Sequence, residues 1–147
     1  MVLPNEVLLG EVSILLAEGK SVILRTKGNS MLPFIRGSRD SVELLKRANV
    51  LENDIVLARL ADGRYVLHRV IDIDGESVTL MGDGNIRGTE SCDISGVCGT
   101  AVSIIKDNGC NIDCQSKGFI RKVRIWRRML PLRRYLLWIY RKLLKIK

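Results

Sequence analysis

The residues best placed to do chemistry in this 147-residue chain begin with Ser30. It lies in Gly28-Asn29-Ser30-Met31-Leu32-Pro33, directly after Ser21-Val22-Ile23-Leu24-Arg25-Thr26-Lys27, a β-branched run that reads as a strand. Gly28 permits a sharp change of direction and Pro33 stiffens the exit. A hydroxyl at the end of a strand, beside a backbone free to turn, can be presented to a cleft. It is a poor nucleophile until a neighbouring base takes its proton. The single histidine of the chain, His68, supplies a candidate base in Tyr65-Val66-Leu67-His68-Arg69-Val70. An ordinary imidazole pKa of about 6.5 suits general-base work near neutrality. Taken singly, Ser30 also reads as an ordinary turn serine and His68 as a histidine on a half-buried strand.

A histidine base works better when a carboxylate fixes its tautomer and steadies its charged form. Asp72 shares a strand face with His68 but lies four residues away, roughly 13 Å along an extended chain, which is too far. Asp83 depends on the register of the hairpin at Asp74-Gly75. A two-residue loop leaves Asp83 diagonal to His68 on the same face, and a four-residue loop puts it directly opposite. A three-residue loop turns it to the other face. Two of these registers allow a constellation of Ser30, His68 and Asp83. In Gly82-Asp83-Gly84-Asn85 the same aspartate also fits a purely conformational turn role.

These residues must be positioned by short strands. The amino-terminal stretch Asn5 to Glu18 sets Val7, Leu8, Val12, Leu15 and Leu16 on one face at helical spacing, with Asn5 as cap and Gly19 as stop. Strands are expected over Ser41 to Leu45, Asp54 to Leu60, Arg64 to Ile73 and Ser77 to Met81. Asp62-Gly63 and Asp74-Gly75 mark hairpin turns. A glycine-rich loop is expected from Gly82 to Asp93. A strand bent at Gly96 or Gly99 should follow from Ile94 to Lys106, with a tight turn at Asn108-Gly109. The fold class expected is mainly β, a twisted, partly closed antiparallel arrangement, with an N-terminal helix and C-terminal basic amphipathic helices.

The ordered motifs resemble those of the type I signal peptidases and the related self-cleaving, LexA-like repressors. Gly28 to Pro33 is similar to the family's serine motif, in which Ser-Met is followed two residues later by Pro. Asn53-Asp54-Ile55-Val56 resembles its Gly-Asp-Ile-Val segment, and His68-Arg69-Val70 falls where the base is followed by Arg-Val. Gly82-Asp83-Gly84-Asn85 resembles its Gly-Asp-Asn segment, and Ile94-Ser95-Gly96-Val97 the strand after it. The resemblance covers roughly residues 20–106. It implies a β fold of the signal-peptidase and LexA-like type, and a serine endopeptidase with Ser30 as nucleophile. It further implies His68 as base, in the subtype that uses histidine rather than lysine. The aspartate maps to Asp83, with Gly84 as an insertion. The backbone N–H of Ser30 would serve as an oxyanion donor. A side-chain hydroxyl two residues before the nucleophile serves in some members, and Gly28 lacks it.

Charge divides the chain in two. Residues 117–147 hold 12 of the 24 Lys and Arg and none of the 16 acidic residues, so residues 1–116 balance at −4 and the tail at +12. The expected organisation is a β domain with its N-terminal helix over 1–116 and a basic helical tail over 117–147. In the tail, Ile120, Val123, Trp126, Met129 and Leu130 mark one apolar face. After a break at Pro131, Leu132, Leu136, Leu137, Tyr140, Leu143 and Leu144 mark another. Trp126, Arg127, Arg128, Arg133, Arg134 and Trp138 are the candidate contacts to a membrane or partner. An anionic membrane surface is the first expectation for this tail, packing on the domain or a partner the second, and nucleic acid the third.

No stretch approaches the roughly 20 apolar residues of a spanning helix, and the acidic amino-terminal segment lacks a secretory pattern. That segment is also too short for a helix-turn-helix head. The expected location is cytoplasmic, peripheral at most on the inner face of the membrane. Cys92, Cys98, Cys110 and Cys114 form only one pair with zinc-like spacing, so reduced thiols and neither metal nor cofactor are expected. The functional expectation is a serine endopeptidase that cleaves a leader or precursor polypeptide by a Ser-His mechanism. The competing expectation is a non-catalytic β module of the same fold that binds a peptide or membrane partner.

Overall fold

The computed structural model describes residues 6–85 and 88–144, with side chains described from Leu9 onward. The expected cap Asn5, and the expected packing of Val7 and Leu8, lie outside the described side chains. The chain runs through α1 (Glu6–Ala17), β1 (Val22–Arg25), β2 (Ser41–Leu45), β3 (Ile55–Arg59), β4 (Tyr65–Asp74), β5 (Ser77–Met81) and β6 (Glu90–Asp93). It continues through β7 (Val97–Ile105), β8 (Asn111–Asp113), α2 (Lys117–Arg128) and α3 (Arg133–Leu144). The eight strands form one curled, half-barrel sheet in the order β1-β2-β7-β3-β4-β5-β6, with β8 on β7. Every pairing is antiparallel. No helix among the described residues is long and apolar enough to cross a membrane.

Alternation along β3 explains how the sheet is covered. Ile55 and Leu57 join a cluster with Val12 and Leu16 of α1, Leu24, Val42, Leu44 and Ile104. Val56 and Ala58 point the other way, into a cluster with Val70, Val78, Leu80, Cys92 and Val97. A strand buried on both faces is apolar throughout, and β3 is buried from Ile55 to Ala58. Helix α1 lies close on β7 because Gly99 has no side chain: a Cβ there would sit 2.9 Å from Leu16 Cδ1. Gly19 ends the helix with φ +86, and its N–H donates to the Leu16 carbonyl at 3.0 Å.

Three expectations about the elements change. Leu15 is exposed, so the buried stripe of α1 is carried by Val12 and Leu16. The region read as one loop from Gly82 to Asp93 ends in β6, which pairs with β5 from Leu80↔Glu90 to Ser77↔Asp93. Ile94 to Gly96 form a single 3-10 turn ahead of β7, capped by the Asp93 side chain accepting from the Ser95 N–H.

The most consequential feature of the sheet is a bulge in β4. The β4–β5 hairpin closes with Asp74 opposite Ser77, and this register continues through Asp72↔Thr79. Continued further, it would place Asp83 across from His68. Between Val70 and Asp72 the register shifts by one residue, so Val70 faces Leu80 and Arg69 faces Met81. The extra residue, Ile71, reverses which side of β4 the following chain addresses.

Candidate active site

Ser30 opens a tight turn after β1. The Leu32 N–H donates to the Asn29 carbonyl at 3.3 Å, and the Phe34 and Ile35 N–H groups both donate to the Met31 carbonyl, at 3.1 and 3.0 Å. The segment that follows is stapled from behind by Asp40, which is only 1% exposed. Its carboxylate accepts from the Arg36 N–H at 2.7 Å, the Asp107 N–H at 3.2 Å and the Lys106 ammonium at 2.9 Å. Lys106 also donates to the Phe34 carbonyl at 2.7 Å, and the Thr26 hydroxyl donates to the Asp40 carbonyl at 2.9 Å. This buried carboxylate ties the chain that follows the Ser30 turn to Lys106 and Asp107 after β7.

Glycines bring a second loop directly onto that segment. The Gly84 N–H donates to the Ser30 carbonyl at 2.7 Å, and a Cβ on Gly84 would lie 2.5 Å from the Asn29 carbonyl oxygen. A Cβ on Gly82 would overlap the Ser30 carbonyl oxygen. The absence of a side chain at Gly84 therefore lets the loop fit against the serine backbone.

His68 is buried on β4, opposite Val56 of β3. Ser30 and His68 line one cleft of about 380 Å³. Its walls come from Leu24 to Gly28 at the end of β1 and from Arg64 to His68 at the start of β4. Burial holds the His68 imidazole below its ordinary pKa of 6.5, with the nearby Glu90 and then Asp83 charges pushing it back up. The Nδ1 atom lies 3.1 Å from Glu90 Oε1, close but out of line for a hydrogen bond. Glu90 Oε2 meanwhile accepts from Arg64 Nη2 at 3.1 Å, and Arg64 Nε donates to Asp62 at 2.7 Å.

The carboxylate expected from the sequence is thus not the one beside the histidine. Both oxygens of Asp83 accept from Arg69, at 2.7 Å from Nε and 2.6 Å from Nη2, and both side chains are buried. Arg69 donates a third time, to the Asn53 carbonyl at 2.7 Å, and its guanidinium stacks over the Phe34 ring. The bulge at Ile71 is the cause: it aligns Asp83 with Arg69 rather than with the His68 side of β4. Glu90 carried no motif in the sequence, because the strand that presents it follows a long glycine-rich segment. The signal that could have found it is the five-residue stretch Glu90 to Ile94, which precedes Gly96 and can pair back on Ser77 to Leu80.

The tail is folded onto the same loops. Phe119 and Val123 of α2 enter the core, and Trp126 Nε1 donates to the Asp83 carbonyl at 2.8 Å. Arg127 reaches the Asn53 side chain, the Glu52 carboxylate at 2.9 Å and the Ile71 carbonyl at 3.3 Å. Arg133 is buried, donates to the Asn85 carbonyl at 2.9 Å and lies over the Trp126 ring. The Tyr140 hydroxyl donates to the Pro33 carbonyl at 3.3 Å. Of the six residues expected to meet a membrane or partner, Trp126, Arg127 and Arg133 are therefore turned inward. Their polar groups donate to loop carbonyls and side chains of the β domain. Arg128, Arg134 and Trp138 are exposed.

The cysteines are dispersed as free thiols. Cys92 is in the core and Cys110 on the surface, and burial pushes the Cys114 thiol up to about 11. The described residues contain no cluster of three or more His, Cys, Asp or Glu that could hold a metal. In comparison with known proteins, the chain matches no family model and no characterised sequence at a significant level.

Proposed function

We propose that the protein is a serine endopeptidase that cleaves a peptide bond in a leader or precursor polypeptide, in the manner of the signal-peptidase and LexA-like family. The observation that carries this reading is that Ser30 and the only histidine line one cleft, with a carboxylate at His68 Nδ1. A carboxylate on that side favours the tautomer with its proton on Nδ1 and leaves Nε2 to accept. In the proposed step, Ser30 Oγ attacks the peptide carbonyl carbon while His68 takes the hydroxyl proton. The Ser30 N–H is the proposed donor to the developing oxyanion. Collapse of the adduct breaks the C–N bond, and the His68 proton leaves with the new amine. Water, deprotonated by the same imidazole, then hydrolyses the Ser30 ester. A base kept neutral by burial is ready for this cycle at neutral pH. On this reading the enzyme works from the cytoplasmic side, peripheral to the inner face of the membrane.

Digestion of a proteome-derived peptide library, read as newly formed amino termini, tests the activity. Wild-type protein should create a restricted set of termini that vanish with Ser30→Ala and with His68→Ala. The same set surviving in Ser30→Ala would remove the Ser30 mechanism, and a wild-type digest identical to buffer would favour the binding-module reading.

A further inference from the structure

With the inner side of the tail occupied by the β domain, its outer side shows an unusual composition. Eight of the twelve exposed large hydrophobic residues among the described side chains lie between Ile125 and Leu144. On α3, Tyr135, Trp138, Ile139 and Leu143 share the side opposite buried Arg133 and Leu137, and Tyr135, Trp138 and Leu143 are 68%, 61% and 77% exposed. Leu130 and Leu132 extend this surface across the turn between α2 and α3. Exposed cations accompany it, Arg124 and Arg128 on α2 and Arg134 and Lys142 on α3, with Lys142 over the Trp138 ring. Residues 117–147 contain no acidic side chain to neutralise them.

The geometry points to this outer face as a docking surface for an anionic lipid bilayer. Aromatic and leucine side chains on one face, accompanied by Arg and Lys, match the headgroup boundary: the rings and leucines enter the acyl edge while the cations meet lipid phosphates. A protein partner could cover the apolar part, but uniformly cationic neighbours are complementary to an extended negative surface. A second copy of the chain would set these cations against one another. The inward-facing residues explain how such a face is held firm. Trp126, Arg127 and Arg133 pin the helices to the domain, so the outer face is a fixed surface rather than a free tail. The inference stands apart from the peptidase reading, because it needs neither Ser30 nor His68.

Co-sedimentation of the full chain with vesicles tests it. Vesicles of phosphatidylglycerol and phosphatidylcholine should bind the protein, phosphatidylcholine alone far less, and added salt should weaken binding. The double substitution Trp138→Ser with Leu143→Ser should lower affinity at least about tenfold with no loss of thermal stability. Arg128→Gln and Arg134→Gln should each cost roughly fivefold. Ser30→Ala should bind as wild type, so failure of the peptidase reading leaves this result untouched. The proposal is overturned if anionic vesicles bind no better than neutral ones, or if the apolar double variant binds equally well. It is also overturned if the double variant abolishes self-association of a chain that ignores vesicles, or if duplex DNA is bound and vesicles are not.

Discussion

Two carboxylates lie near the one histidine, and their surroundings differ sharply. Asp83 is sealed in, 3% exposed and gripped at both oxygens by an equally buried Arg69. Glu90 is 26% exposed at the rim, shared between Arg64 and the His68 ring. A buried bidentate pair is a fixed structural joint, because loss of either partner strands the other charge away from water. A rim carboxylate can follow the imidazole as its charge changes. On the proposed reading, Asp83 holds the loop that carries Gly84 against Ser30, and Glu90 tunes the histidine.

The largest effect expected from breaking that contrast is on stability. Asp83→Ala should cost about 3–5 kcal/mol in urea denaturation, because Arg69 is left buried and unpaired. Replacing both partners by apolar residues, Asp83→Leu with Arg69→Met, should recover most of it. An Asp83→Ala protein of wild-type stability that has lost peptide cleavage would instead return Asp83 to the catalytic group. Next comes Gly84→Ala, whose Cβ would press on the Asn29 carbonyl. Overpacking of this kind costs about 1–3 kcal/mol, and displacing Ser30 should cut cleavage more than it cuts substrate binding. Trp126→Phe keeps the ring but loses the hydrogen bond to the Asp83 carbonyl, for about 1 kcal/mol in the same denaturation assay.

The strand pattern was legible because it rests on local signals, whereas the expectation that Ser30 and His68 share a cleft rests on the order of the motifs along the chain. Asp62-Gly63 marks a turn, with Gly63 at φ +90, and the stretch after it is rich in the β-formers Tyr65, Val66, Val70, Ile71 and Ile73. The partner of His68 was not legible, since it depends on one extra residue. Nothing in Val70-Ile71-Asp72 announces a bulge, yet the bulge decides between the registers that the hairpin turn left open. Glu90 was hidden for a related reason: sheet position, not sequence proximity, brings β6 beside the rim of the cleft. In the tail, spacing located the helices but could not rank two amphipathic sides. Arg133, a cation expected to face outward, is buried because Asn85 and the Trp126 ring receive its guanidinium.

Glu90→Gln should be the gentlest change in stability, no more than about 1 kcal/mol for a partly exposed carboxylate. Its effect should fall on protonation. His68 titrates below its ordinary 6.5 because burial disfavours the imidazolium. Below about pH 6.5 the unfolded chain then binds a proton that the folded chain resists. Stability should therefore fall as pH drops from that value through the folded pKa, and His68→Gln should remove this part of the dependence. Glu90 partly offsets the burial effect, so Glu90→Gln should move the pKa of His68 lower still. Arg64 opposes protonation, so Arg64→Ala should move it higher.

The most direct measurement of the central claim sets the pH profile of peptide cleavage beside the NMR titration of His68, which is unambiguous because the chain has one histidine. The account predicts that the acid limb of cleavage and the His68 titration coincide below 6.5, and that both move to lower pH in Glu90→Gln. A cleavage limb that stays in place while the His68 signal shifts, or cleavage that persists in His68→Ala, would contradict it.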